Sequence, residues 1–291
     1  MPEKVVITGL GAITPLGHNI KDTWENIKNG VSGIGPITLF DSADYLVQYA
    51  CEVKNFNPDD YMPAKEARRR DRFEQFAFVA AREALVASGL QITEENAGRV
   101  GVVISAAIGG FETIQEASFT VKDFGPRKLS PYVIPKVMPN GAAGMVGIET
   151  GAKGPSFSVA SACASGADGI GTAWMMIRAG IIDAAITGAA DATIIPIGVG
   201  SFDRLGAMTR QTSGVPQPFD RDRDGLVMGE GAAILIIERE SHARARGATI
   251  LAELAGYAST ADAFHVTAPA ENGSGGAAAM RHALQAGGSQ S

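Results

Sequence analysis

Apolar positions along the chain follow two rhythms. Short, almost uninterrupted apolar runs at Lys4–Ile13 (KVVITGLGAI), Gly98–Ala106 (GRVGVVISA), Ile182–Asp191 (IDAAITGAAD) and Gly229–Glu240 (GEGAAILIIERE) have the length of buried strands. Between them apolar residues recur every three or four positions. That spacing predicts helices over Asn19–Gly30, with Asn19 as N-cap and Gly30 as stop, over Arg72–Gly89, closed by its glycine, and over Gly110–Val121 and Asn140–Thr150. An edge strand is expected near Val47–Val53, and an ordered loop over Phe124–Pro139, which holds four prolines. After a loop beyond Asp191, the Gly229 strand leads into a short helix, SHARARG, a strand, TILAELAGYAS, and a last helix, SGGAAAMRHALQAGG. Strands alternating with helices predict an α/β fold with a largely parallel sheet.

One stretch carries candidate chemistry. The strand-like run PSFSVAS stops at a single thiol, Cys163, and Ala167, Ile170, Gly171, Trp174, Ile177 and Arg178 follow at helical spacing. A nucleophile at a strand-to-helix turn faces the unpaired N–H groups and positive dipole end of the helix, which favour a thiolate. A free cysteine is more often buried and inert. The helix shifts that balance, because Gly166, Gly169 and Gly171 each cost up to about 1 kcal/mol against alanine. Such a helix is expected where other backbone approaches closely, in a central position with its first turn aimed at a site.

Composition narrows the classes. The 291 residues (30.1 kDa) suffice for one large domain or two; 45% are hydrophobic and 19% charged, which suits a sizeable core. The 36 glycines are scattered through patterned segments, which argues for tight packing rather than disorder. A net charge of −6 argues against nucleic acid or an anionic membrane as a general partner. Two distant cysteines, Cys51 and Cys163, form no disulfide framework and fit a reducing cytosol. No window has the length of a membrane span, and the N-terminus reads as a strand and turn rather than a signal peptide, so a soluble, cytoplasmic protein is expected.

Other motifs change the picture little. In GLGAITPLG the third glycine of a dinucleotide loop would fall on Thr14, so that reading fails. DRDRDG (Asp220–Gly225) lacks the acid of a calcium loop, which would fall on Gly231, and reads as a polar turn. His242 and His282 lie in charged or terminal helices and are expected to be solvated, while His265 in DAFHVTAP defaults to a structural role. KEARRRDR (Lys65–Arg72) is the one concentrated basic patch; if helical, Lys65, Arg68, Arg69 and Arg72 share a face, either as a solvated surface or as a dock for a small acidic partner.

At SVASACASGADGIG the sequence resembles the β-ketoacyl-[acyl-carrier-protein] synthases of the type II condensing class, in the thiolase-like superfamily. VVITGLGAITPLG, ITEENAGRVGVVISAAIGG, GPRKLSPYVIP, PFDRDRDGLVMGEGA and DAFHVTAPAENGSGGAAAM follow in family order. The resemblance implies an α/β fold layered α/β/α/β/α. Residues 1–250 would form its N-terminal half, and 251–291 only the first strand and helix of a C-terminal half. It implies fatty-acid elongation, with Cys163 taking the acyl chain as a thioester and its backbone N–H serving as one oxyanion donor. Ile108 and Phe202 resemble residues lining the acyl pocket, and Thr267 one that contacts pantetheine. Lys65, Arg68, Arg69, Arg127 and Lys128 resemble a dock for acyl carrier protein. A homodimer through the first half is implied, with no bound cofactor or metal, since substrates arrive on the carrier's phosphopantetheine arm. The family's further histidines, lysine and Gly-rich loop belong to the second half, and none of His18, His242, His265 and His282 lies in the corresponding motifs. Acyl loading and slow thioester hydrolysis are therefore the most chemistry expected of this chain. A polyketide-type ketosynthase, a non-elongating acyltransferase and a non-catalytic scaffold or split-enzyme half stand as alternatives.

Overall fold

A computed structural model describes residues 3–211 and 215–288. Residues 289–291, the last of the expected 251–291 segment, lie outside the described residues. In chain order the elements are β1 (Val5–Ile13), α1 (Ile20–Lys28), β2 (Gly35–Pro36), β3 (Tyr49–Ala50), α2 (Ala64–Ala67), α3 (Arg72–Ser88), β4 (Val100–Ser105), α4 (Phe111–Phe124), α5 (Val133–Val137) and α6 (Gly141–Thr150). There follow β5 (Ser156–Phe157), α7 (Ser165–Arg178), β6 (Ala184–Asp191), α8 (Pro196–Arg204), β7 (Gly231–Arg239), α9 (Glu240–Ala245), β8 (Ala252–Glu253) and α10 (Ser274–Ala286).

The central sheet runs β5-β4-β6-β7-β1-β8. Its four long strands, β4, β6, β7 and β1, are largely buried on both faces, and alternate side chains divide two cores. Val102, Ile104, Ile186, Ile234 and Ile236 face Phe73, Phe76, Ala77 and Ala80 of α3 and Ala142, Ala143 and Val146 of α6. Val103, Ala185 and Ile237 face Ala173, Trp174 and Ile177 of α7 on the other side. The result is an α/β/α sandwich with α7 forming the second helical layer. A satellite cluster of Ile37, Val47, Ala50, Ile194, Val199, Met208 and Met228 packs at one end.

Helix α3 is closed at both ends. Asp71 and Glu74 form a capping box, in which the Asp71 N–H donates to Glu74 Oε2 at 2.8 Å, and Gly89 takes the left-handed conformation, φ +64°. The helix lies directly on β1, where a β-carbon on Gly9 or Gly11 would collide with the carbonyl oxygens of Ala84 and Ala80. The glycines of GLG thus serve helix–strand packing.

Several expectations are corrected. The sheet is mixed: β4 runs parallel to β5 and β6, but β7 is antiparallel to β6 and β1, and β8 is antiparallel to β1. Continuous apolar runs report burial on both faces and carry no information about strand direction. PSFSVAS pairs with a neighbouring strand only at Ser156–Phe157, and TILAELAGYAS only at Ala252–Glu253; near Val47–Val53, Tyr49–Ala50 pairs with Gly35–Pro36 and Cys51 bridges Gly229. The proline-rich loop contains α5; Pro135 lies in its first turn, where a missing N–H costs no intrahelical bond. The loop after Asp191 contains α8, opened by Pro196 at its first position. Lys65–Arg72 is not one helix, because α2 ends at Ala67 and Asp71 starts α3. Among the described residues no helix is long and apolar enough to cross a membrane.

Candidate active site at the Cys163 turn

Three neighbouring parallel strands deliver three candidate residues to one edge of the sheet. The chain leaving β5 reaches Cys163 before α7, the chain leaving β4 carries Ile108 before α4, and the chain leaving β6 enters α8, which bears Phe202. Carboxyl ends of adjacent parallel strands are where α/β sheets form crevices. Ile108 is 36% exposed, and Phe202 is half-buried against the satellite cluster. Asp191, at the end of β6, accepts N–H bonds from Ala107 (3.1 Å) and Ile108, and so ties down the turn that holds Ile108. Burial pushes its carboxyl up, against those hydrogen bonds.

The Cys163 turn is irregular rather than a direct strand-to-helix junction. Residues 158–164 separate β5 from α7, and Ala164, not Cys163, is the N-cap. Ala162 stands at φ +51°, a left-handed conformation costly for a residue with a β-carbon, and projects the exposed Cys163. Ser165 holds this turn from inside: its hydroxyl accepts the Ser161 N–H at 2.9 Å and donates to the Ala162 carbonyl at 2.7 Å. The N–H groups of Ala164 and Ser165 donate to the carbonyls of Ser161 and Ala162, whereas that of Cys163 donates to no acceptor among the described residues.

The glycines of α7 mark close approach by side chains rather than by the backbone expected. A β-carbon at Gly169 would collide with the Ser105 hydroxyl of β4, and one at Gly171 with the ring of Tyr257. The Tyr257 hydroxyl donates to Asp168 Oδ1 at 2.7 Å, and the other carboxylate oxygen accepts from Ser161. Hydrogen bonds from Ser161 and Tyr257 hold the Asp168 carboxyl below the usual range. Trp174 Nε1 donates to the Leu254 carbonyl at 2.8 Å, so the segment after β8 is fastened along α7. Sequence reading missed Ser161, Ser165, Asp168 and Tyr257. The available signal was Asp168, the only charge in α7 before Arg178.

The basic residues are brought together in part. Lys65 and Arg68 are exposed on and just after α2, and Arg127 and Lys128 are exposed on a 3-10 turn after α4. Arg69 links the two segments: it pairs with Glu66 at 2.9 Å and lies 5.0 Å from the centroid of Tyr132, four residues past Lys128. Arg72 leaves the patch for Glu230, 2.6 Å away and buried. A cavity of about 680 Å³ lies beside Arg68, with Arg72, Glu112, Gln115, Lys136 and Pro196 in its wall; Cys163 does not line it.

Thr267 is not joined by a hydrogen bond to the Cys163 turn among the described residues. It stands in an exposed loop, where its N–H and that of Ala268 each donate to His265 Nδ1 at 3.1 Å. His265 is accordingly a local structural residue. His242, expected in solvent, instead bonds the fully buried Glu238 at 2.7 Å, because α9 folds back on the end of β7. His18 bridges Tyr61 and the Lys54 carbonyl, and His282 is exposed on α10. Cys51 is half-buried beside Gly229, and burial pushes its thiol up. Among the described residues no group of three or more histidines, cysteines or acids could hold a metal ion.

Comparison with known proteins places this arrangement. Residues 2–243 match the description "Beta-ketoacyl synthase, N-terminal domain". The chain is 47% identical over 284 residues to a Staphylococcus aureus (strain COL) protein named 3-oxoacyl-[acyl-carrier-protein] synthase 2, covering 97% of this chain and 69% of that one. A Synechocystis protein of the same name is 42% identical over 286 residues, with 97% and 69% covered. Among solved structures, a β-ketoacyl synthase from Burkholderia phymatum STM815 superposes with a TM-score of 0.89 at 32% identity, covering 99% of this chain and 71% of that one. A type II PKS acyl-carrier protein in complex with its ketosynthase bound to the hexaketide gives 0.87 at 30% identity, with 100% and 71% covered.

Proposed function

The chain belongs to the β-ketoacyl synthase family, and from that premise we propose that it carries the acyl-accepting part of a 3-oxoacyl-[acyl-carrier-protein] synthase of fatty-acid elongation. The observation that carries the reading is the placement of Cys163: an exposed thiol, presented by a strained turn at the carboxyl edge of β5, β4 and β6. The thiolate attacks the carbonyl of an acyl thioester, the carrier's thiol leaves, and the acyl group stays on Sγ. This divides a condensation into two simpler transfers. The Cys163 N–H, without another acceptor, is oriented by the turn as a donor to the oxyanion. Ile108 and Phe202 line the acyl path and Thr267 meets the pantetheine arm, which brings the substrate without a bound cofactor or metal.

Acyl carrier protein is the partner. Lys65, Arg68, Arg69, Arg127 and Lys128 form a cationic surface suited to an acidic protein. A homodimer through the residue 1–250 half is part of the same proposal, supported by edge strand β5, whose outer side is unpaired; a cytoplasmic location follows from the same reading. The histidines of this chain are engaged elsewhere or exposed on α10, so within these residues the proposal extends to acyl loading and slow thioester hydrolysis. The second reading is a polyketide-type ketosynthase, favoured by the 30% identical solved relative with its hexaketide. The test is intact-mass spectrometry after exposure to an acyl-carrier thioester near pH 7, with peptide mapping. A single adduct on Cys163 is expected. No adduct, or equal slow labelling of Cys51, overturns the proposal, and competition between fatty-acyl and polyketide thioesters separates the two readings.

A further inference from the structure

The turn that presents Cys163 needs external support. A left-handed, non-glycine residue such as Ala162 persists only where its surroundings hold it, at a cost of about 1–3 kcal/mol. Part of that support is local, through Ser165. The rest comes from Asp168, one turn into α7, whose two oxygens are each taken by a different segment. One receives the hydroxyl of Ser161 inside the nucleophile turn, and the other receives Tyr257, from the stretch that follows β8. Tyr257 is itself fixed by the glycine at 171, which leaves room for its ring, and by the neighbouring Trp174–Leu254 bond.

We propose that Asp168 is a positioning residue for Cys163: its carboxylate fastens the nucleophile turn, through Ser161, to the segment after β8, through Tyr257, and so sets the placement of the thiol for acyl transfer. The inference rests on the reading of Cys163 as acyl acceptor. Its chemistry is specific to a carboxylate. Hydroxyl donors from both segments converge on one side chain, Ser161 on one side and Tyr257 with Ser259 on the other, and each requires an acceptor; an amide offers one carbonyl oxygen and would present N–H to the second segment. An acid placed in a first helical turn only to complement the dipole would need neither contact. Ionised Asp168 keeps both, and those hydrogen bonds in turn hold its carboxyl below the usual range. The arrangement also makes the state of the nucleophile turn depend on how well residues 254–257 are docked, since the same carboxylate serves both.

The test compares the 291-residue chain with its Asp168→Ala, Asp168→Asn, Tyr257→Phe and Ser161→Ala variants. Two rates are read at Cys163 by mass mapping: acylation from a carrier-bound thioester, and alkylation by iodoacetamide. Cys51 serves as the internal control. Asp168→Ala is expected to slow acylation at Cys163 by about tenfold or more, as small misplacements of a reacting group do, with alkylation of Cys51 unchanged. Asp168→Asn, which keeps one acceptor, and Tyr257→Phe, which keeps the ring over Gly171, fall between it and the parent chain. An Asp168→Ala variant that melts cooperatively and acylates Cys163 within about twofold of the parent overturns the inference. If that variant does not fold, parent-like rates in both Tyr257→Phe and Ser161→Ala overturn it equally. A parent chain that gives no acyl adduct refutes the acyl-acceptor reading instead, while the alkylation rates still decide whether Asp168 positions the thiol.

Discussion

The ring of Tyr257 fills the space above Gly171 into which any β-carbon would project. Gly171→Ala gains up to about 1 kcal/mol in helix propensity, but it must displace the ring and break the Tyr257–Asp168 hydrogen bond, an overpacking cost of about 1–3 kcal/mol. The expected net effect is a loss of roughly 1 kcal/mol and a fall in melting temperature of about 2–4 °C. A thermal melt followed by circular dichroism checks this, and an unchanged or higher midpoint contradicts the packing described.

Glu238 has no exposure and accepts hydrogen bonds from Arg246 at 2.6 Å, His242 at 2.7 Å and Thr8. Burial acts to raise its pKa, but Arg246, His242 and Thr8 together bring it from 4.5 down to about 2. A depressed folded pKa gives stability that is fully present above the unfolded value and disappears as pH falls through about 2. Glu238→Gln should therefore cost roughly 3 kcal/mol near pH 7 and progressively less below pH about 4. Urea denaturation across that range measures it; a pH-independent difference counts against the ion cluster as its source.

Glu74 titrates in the opposite sense. Its side chain is fully buried, Oε1 has no hydrogen-bond partner among the described residues, and burial pushes the carboxyl up to about 8. The folded chain thus retains a proton that the unfolded chain releases, so stability declines as pH rises from about 4.5 toward 8. Glu74→Gln keeps an acceptor for the Asp71 N–H of the capping box and cannot ionise. Its midpoint is expected to exceed that of the parent on the order of 5 °C at pH 8 and to match it near pH 5. Parallel melting curves at both pH values would remove the buried proton from this account.

The basic surface makes a separable kinetic claim. Reversing Arg68, Arg127 and Lys128 to glutamate should slow acylation of Cys163 from the carrier-bound thioester about tenfold at low salt, with the deficit shrinking as salt is raised. Acylation from a short thioester lacking the carrier protein should be unaffected. Equal loss with both donors would place the effect in the fold rather than in docking.

How far the sequence could be read depended on whether a feature was local. Helix α3 was legible from its apolar spacing and from Gly89, which closes it, and the buried strands because their apolar runs have no rival explanation; the Asp71–Glu74 capping box that opens α3 went unread. Strand direction was not, since Ile234 and Ile236 would be equally buried in a parallel β7. Helix α8 was hidden by the glycines in PIGVGSFDR, which suppress a helical pattern that tertiary packing restores. His242 was misjudged because charge in α9 suggests solvent, while its partner Glu238 is placed by β7. At the candidate site, Cys163 and the tight packing of α7 were visible from the glycines, but the Ser161–Asp168–Tyr257 connection was not. It joins residues 89 positions apart between Asp168 and Tyr257, and no spacing rule spans such a contact.

The three residues at the carboxyl edge of the sheet arise from three separate crossings, after β5, β4 and β6. Ile108 and Phe202 belong to neither of the two cores that hold the strands beneath. Mutation can therefore rewrite the turn of Ile108 or the helix of Phe202 while the thiol keeps its address. Such a frame leaves the residues around the thiol free to vary while the turn that presents it is kept.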